Sequence, residues 1–320
     1  MSISRLPRER LSLLTKVATM YHELGMRQPE IADRLKISQS RVSRLLKEAV
    51  SLGIVRTVVL PPPGVFPELE RTLCERFGLA DAVVTEPISD DESVLLNALG
   101  GAAAAYLETT MLGAEVVGIS SWSATLLATV EAMQPGTSSK TKQVVQVLGG
   151  TGNTAAQLRA TRLTERLAHV TGGDPVYLPA PGVVATSQAR AALLDDTHIA
   201  TVVERWADLS MLLVGIGSMQ PSPLLHDSGN SLSVDELASL EALGAVGDVC
   251  LRFFDANGEP VGSDLDDRVV GIGIDQLRSV PRKVGVAGGA RKIESIRAAA
   301  TGGWIDVLIT DRATAVALSA

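Results

Sequence analysis

The sequence predicts an α/β protein with a helical DNA-binding head. Three observations carry this: a helix-turn-helix pattern at residues 28–55, a proline-rich stretch at 61–64, and β-branched runs alternating with helix-like segments in the rest of the 320 residues. The expected layout is a winged helix-turn-helix domain at 1–58, a linker at 59–67, and a Rossmann-like α/β domain at 68–320 for effector binding and self-association.

The head is read from its period. A helix from about residue 8 to 24 offers Leu11, Leu14, Val17, Tyr21 and Leu24 as one wall, and a short second helix carries Ile31, Ala32 and Leu35. After the turn LKIS, Val42, Leu45, Leu46, Ala49 and Val50 form the apolar stripe of a third helix. Ser38 suits its N-cap. Ser40, Ser43, Arg44, Lys47 and Ser51 share the opposite face, flanked by Gln39 and Arg41. The DNA-contact set is Gln28, Gln39, Ser40, Arg41, Ser43, Arg44 and Lys47. Arg41, Arg44 and Gln39 can pair with base edges, whereas Lys47, Ser40 and Ser43 suit phosphates. The alternative is a solvated surface helix.

Charge divides the chain in the same place. Residues 1–56 carry 11 Lys and Arg against 5 Asp and Glu, and the other 264 carry 18 against 31. A head at +6 can meet a polyanion, and a remainder at −13 is repelled by one. PPPG at 61–64, with Pro67 beyond, is stiff and poor in donors, as a linker should be.

No apolar run approaches 20 residues, and MSISRLPRERL lacks a signal-peptide core, so a cytoplasmic protein without a membrane partner is expected. Cys74 and Cys250 have no metal-type spacing, and the four histidines are scattered. Neither metal nor cofactor is indicated.

Strands are expected at 82–84, 116–119, 144–148, 176–178, 210–215, 249–254, 269–272, 283–286 and 305–310, with helices between most of them. Four small, polar loops come after strands: GISSWSAT at 118–125, GGTGNTA at 149–155, GIGS at 215–218 and AGGARK at 287–292. In a parallel sheet these ends share one edge, where ligands bind. Glycine N–H groups, hydroxyls and helix N-termini there suit a phosphate or sugar, although any tight turn also needs small residues.

Within AGGARK, Arg291 and Lys292 fall in the first turn of the next helix, where the helix dipole disfavours cations. Either an anion or nearby carboxylates would relieve this. Lys292 is the preferred phosphate partner, and with a depressed pKa it could form a Schiff base. Asp248 can accept sugar hydroxyls or serve a turn. Asp255, in Asp-Ala-Asn-Gly, is explained by its turn. Trp122 can stack on a sugar or fill the core.

The segments 28–47, VLGG at 147–150, LPAP at 178–181, GIGS, GDVCLRFFDANGEPV at 247–261 and VAGGARKIESIRAAATGGWIDVLITDRATAVAL at 286–318 resemble the SorC/DeoR-type sugar-binding transcriptional regulators over about residues 8–318. The resemblance implies a regulator, usually a repressor, whose C-terminal domain has the fold of sugar-phosphate isomerases and deaminases and binds a sugar or sugar phosphate. It carries over Ser120, Ser121, Trp122, Ser123 and Thr125, then Asp248, then Gly288, Gly289 and Lys292. Gly149, Gly150, Thr151 and Gly152 complete the expected effector site. Many members have Gly then Arg or Lys where this chain has Ser123 and Ala124, which leaves a free sugar or polyol open beside a sugar phosphate.

The rival reading is an isomerase- or deaminase-like enzyme with a DNA-binding appendage. It needs a general base beside the substrate, and no convincing pair of catalytic groups stands out. Homodimers or homotetramers on double-stranded operator DNA are expected, since one head reads few bases.

Overall fold

The computed structural model describes residues 6–55, 61–89, 91–135, 141–150, 154–220 and 232–320, and it divides into two units, Met1–Pro61 and Pro62–Ala320. Thr151 and Gly152, together with residues 59 and 60 of the expected linker and 56–58 of the expected wing, lie outside the described residues.

In the first unit, α1 (Arg8–His22), α2 (Gln28–Leu35) and α3 (Gln39–Ser51) close on a core of Leu14, Val17, Ile31, Val42, Leu45 and Ala49. Lys36, in left-handed conformation, and Ile37 turn the chain into Ser38, whose Oγ accepts the Arg41 N–H at 3.3 Å and caps α3. Arg10 clamps α1 to α3 through Glu48 at 2.6 Å. Three expected core residues are instead exposed: Tyr21 at 39%, Val50 at 53% and Leu24 at 62%. Tyr21 lies in the last turn of α1 and Leu24 beyond it. Val50, eight residues after Val42, sits about 80° around the helix from it, at the edge of the stripe.

In the second unit, α4 (Pro67–Phe77) starts at the last residue of the expected linker. Next in order are β1 (Asp81–Thr85), α5 (Glu92–Thr110), β2 (Val116–Ile119), α6 (Ala124–Ala132), β3 (Gln143–Gln146), α7 (Thr154–Thr171) and β4 (Asp174–Val176). Then come α8 (Ser187–Leu194), α9 (Thr197–Glu204), β5 (Met211–Gly215), β6 (Gly217–Ser218) and α10 (Val234–Ala242). The chain finishes with β7 (Ala245–Val249), β8 (Arg252–Asp255), α11 (Ile274–Ser279), β9 (Lys283–Val286), α12 (Ile293–Thr301), β10 (Val307–Asp311) and α13 (Arg312–Ser319).

Seven strands form a parallel sheet in the order β1-β10-β9-β5-β2-β3-β4. Strand β5 shows why it is covered on both faces. Leu212 and Val214 join one apolar cluster with Trp206, Phe254 and Trp304, while Met211 and Leu213 join another with Leu107, Leu126 and Ile309. From β2 the chain moves outward through β3 and β4, then returns to the other side as β5. Loops leaving β2 and β5 therefore part, and a crevice opens at the carboxyl ends of these strands.

Two expected strands are replaced. The run 249–254 is a hairpin: Val249 pairs with Arg252, and Cys250 and Leu251 make a two-residue turn with φ of 56° and 60°. That turn normally takes Asn-Gly, so Cys-Leu gave no turn signal, and it is strained by roughly 1–2 kcal/mol per residue. The run 269–272 makes only isolated bridges, Val269 to Val183 and Gly271 to Leu148. The buried Arg252 guanidinium takes the carbonyls of Gly271 and Ile272, which a ladder would otherwise use.

Among the described residues, no helix is long and apolar enough to cross a membrane, and no group of three metal-ligating side chains occurs.

Candidate functional site

At the carboxyl ends of β2, β5 and β9, adjacent in the sheet, lies a cavity of about 400 Å³. That is a volume suited to a small ligand. Ser120, Trp122 and Ser123 line it from the loop after β2, and Thr125 from the first turn of α6. Gly288, Gly289 and Lys292 line it from the loop after β9, and Asp248 lines it from the small antiparallel sheet of β6, β7 and β8.

The loop after β2 is built by its own hydrogen bonds. Ser123 caps α6 by accepting the Leu126 N–H at 3.2 Å, and its Oγ is 2.8 Å from Thr125 Oγ1, which donates to the Val286 carbonyl at 2.9 Å. Trp122 is buried, with its indole N–H on the Gly149 carbonyl at 2.9 Å, so it presents a fixed apolar wall.

Ser121, Gly149 and Gly150 do not line the cavity. Ser121 is buried and donates to the Leu148 carbonyl at 2.7 Å. Gly149 touches the backbone of the next loop: a Cβ there would come within 2.2 Å of the Pro181 carbonyl oxygen. Glycine is needed at 149 for that close approach, which sequence reasoning read as an approach to a ligand.

Asp248 and Lys292 bring opposite charges to the cavity. Asp248 accepts the Leu251 N–H at 2.9 Å and so braces the strained turn. It pairs across the small sheet with Gly217, where a Cβ would fall 1.8 Å from its Oδ1, so only glycine leaves room for the carboxylate. Burial pushes the Asp248 carboxyl up to about 6, against the Leu251 hydrogen bond and the charge of Lys292, which favour the ionised form. The Lys292 ammonium donates to the Ile216 carbonyl at 2.8 Å; burial lowers its pKa, opposed by the charge of Asp248. Beside them Cys250 is buried and its thiol is pushed up to about 12, chiefly by burial, which leaves it unreactive.

The loop after β9 differs in detail from expectation. Residues 290–292 form a single 3₁₀ turn before α12, so Lys292 stands just ahead of the α-helix. The Gly289 N–H, an expected anion donor, is already bonded to Asp311 Oδ2 at 2.8 Å and Thr314 Oγ1 at 2.9 Å. Arg291 meets a carboxylate, Glu92, at 2.9 Å.

Several lining residues escaped the sequence reading. Ile216, Gly217 and Ser218 belong to the GIGS loop, whose convergence was expected but from which no residue was chosen. Glu92 comes from the start of α5, after a strand end without glycines. Its one sequence signal was its position beyond the first strand.

A raised carboxyl predicts a sign. The proton on Asp248 is held more tightly in the folded state, so its stabilising contribution is full below about pH 4 and lost as pH rises through about 6. Relative to Asp248→Asn, the wild type should lose stability to denaturant between pH 4.5 and 6.5, with a flat difference above. A difference independent of pH over that window would show that the carboxyl is not desolvated.

Of the residues expected to contact DNA, Gln39, Ser40, Arg41, Arg44 and Lys47 are exposed on α3, whereas Ser43 and Gln28 are half-buried. Arg44 Nε makes a local 3.4 Å contact with the Ser40 carbonyl.

Comparison with known proteins agrees with this architecture. Residues 65–319 match the family described as "Putative sugar-binding domain". The deoxyribonucleoside regulator of Bacillus subtilis (strain 168) is 33% identical, over 97% of this chain and 98% of that protein. The sorbitol operon regulator of Klebsiella pneumoniae is 29% identical, over 95% of this chain and 96% of that protein. The crystal structure of that full-length regulator, SorC, superposes with a TM-score of 0.73 at 28% identity, covering 97% of this chain and 99% of the other. The chain belongs to the SorC/DeoR-type family of sugar-binding transcriptional regulators.

Proposed function

We propose that the protein is a sequence-specific DNA-binding repressor of a carbohydrate-metabolism operon, released from its operator when a sugar, polyol or sugar phosphate enters the cavity at the sheet edge. The observation that carries this is the presence in one cavity of Lys292, whose ammonium has among the described residues one hydrogen bond and further donors to offer, and the desolvated carboxyl of Asp248. An ammonium suits an anion or hydroxyl, and a carboxylate suits sugar hydroxyls.

Residues 1–58 act as the winged helix-turn-helix head, 59–67 as linker and 68–320 as the Rossmann-like, isomerase-like effector domain. The protein works in the cytoplasm as a homodimer or homotetramer, so that two heads read a palindromic site. The effector acts by differential affinity for two subunit arrangements. The cavity binds without turnover, a reading supported by relatives that bear the names of regulators.

The test begins with selection of a preferred duplex from a random library by the full chain. Arg44→Ala should cost ~1–3 kcal/mol on that duplex and relax its preference, whereas Lys47→Ala should weaken all duplexes about equally and reduce the salt slope by about 1. A screen of free and phosphorylated pentoses, hexoses and polyols should then find a compound that stabilises the protein thermally and weakens its hold on the duplex. If no sugar of either form binds, the cavity assignment fails.

A further inference from the structure

Among the described residues, the charged groups lining the cavity form two opposed couples at different depths. Lys292 and Asp248 sit within, and Arg291 and Glu92 stand at the rim, paired at 2.9 Å with side chains 58% and 61% exposed. The Glu92 charge also acts on Lys292. The loop after β9 therefore places two adjacent cations at the cavity, and the first residue of α5 supplies a carboxylate that occupies the outer one.

An ion pair this exposed is held weakly, because water competes for both partners. A phosphomonoester seated on Lys292 would lie beside Arg291, whose planar guanidinium suits phosphate oxygens better than a single carboxylate. It would also lie beside Glu92, whose charge opposes it.

We propose that Arg291 is a second anion-binding residue of the cavity, held aside in the free protein by Glu92, and that this Glu92–Arg291 pair sets how strongly the site accepts a phosphomonoester over an uncharged sugar. The proposal rests on the reading of the cavity as the effector site. A ligand phosphate takes Arg291 from Glu92, whereas a neutral polyol leaves the pair closed. Removing the carboxylate should release Arg291 in advance and lessen repulsion.

The experiment is a double-mutant cycle on the full chain, with inorganic phosphate and glycerol 3-phosphate as probes, at constant ionic strength, read by calorimetry and thermal stabilisation. Glu92→Gln should bind both probes about 3- to 10-fold more tightly, and Arg291→Gln should bind them more weakly by a similar factor. The gain from Glu92→Gln should shrink when Arg291 is also Gln, leaving only the part that comes from lessened repulsion. A gain undiminished in the double variant overturns the proposal, because Glu92 would then act through its field alone. Unchanged or weaker binding in Glu92→Gln also overturns it, as does absence of probe binding by all four proteins. None of these results touches the effector-site reading, which stands or falls on whether the wild type binds any compound in the screen of sugars and polyols.

Discussion

Replacement of Lys292 by alanine should weaken binding of a phosphorylated sugar by about 10- to 150-fold and binding of the corresponding free sugar much less. Among the described residues the ammonium donates one hydrogen bond, to the Ile216 carbonyl, and can offer its remaining N–H groups to a ligand. A charge-assisted hydrogen bond is worth roughly 1.5–3 kcal/mol, and ~1.4 kcal/mol is one decade of affinity. The Gly289 N–H cannot make up the loss, because Asp311 and Thr314 already hold it. Calorimetry on wild type and variant with both ligands separates the possibilities. Equal losses would mean that Lys292 contacts a hydroxyl or carbonyl, and no loss would reduce it to a strut that fixes the Ile216 loop.

The second large effect is on stability. Arg252→Ala should destabilise the protein by about 3–5 kcal/mol, measured by urea denaturation, whereas Arg291→Ala should cost less than about 1 kcal/mol. The two arginines each meet one carboxylate, yet they differ in burial. Arg252 is buried and donates to the carbonyls of Ile272 at 3.0 Å, Asp266 at 3.0 Å and Gly271 at 3.3 Å, besides the Asp266 carboxylate at 3.0 Å. Its loss strands several buried acceptors and leaves a void. Asp266→Asn should cost less, because the three carbonyl contacts remain. Since Arg252 anchors the hairpin that carries Asp248, ligand binding should weaken in Arg252→Ala even under conditions where the variant is folded. Comparable costs for Arg252→Ala and Arg291→Ala would show that the buried network contributes little.

The head was largely legible because its determinants are local. Leu14, Val17, Val42, Leu45 and Ala49 recur at helical spacing, and Ser38 caps its own helix, so a short window contains both cause and effect. The exceptions, Tyr21, Leu24 and Val50, lie where a helix ends or a stripe drifts off axis. The strands β2, β5 and β9 were equally plain as apolar runs. Once they are parallel neighbours, the loops at 118–125, 215–218 and 287–292 must meet, so Ser120 and Lys292 could be expected together before any contact was seen, whereas Asp248 arrives from the small antiparallel sheet.

Period and chain direction, both written in the sequence itself, determined the two units, the parallel sheet, the edge that carries the site and the residue types brought there. The tertiary structure decided which side chains are spent on the fold and which face the cavity. Gly149 and Ser121 have the look of ligand residues but are taken by the backbone of Pro181 and Leu148, and the Gly289 N–H is taken by Asp311. Cys250 and Leu251 form a turn that their identities disfavour, held by Asp248. Glu92 enters the cavity from a helix start that no motif marks. Each of these outcomes depends on contacts between residues far apart in sequence, where a hydrogen-bond donor or a gap of one Cβ is claimed by whichever partner the packed sheet brings near, and local pattern carries no record of that partner.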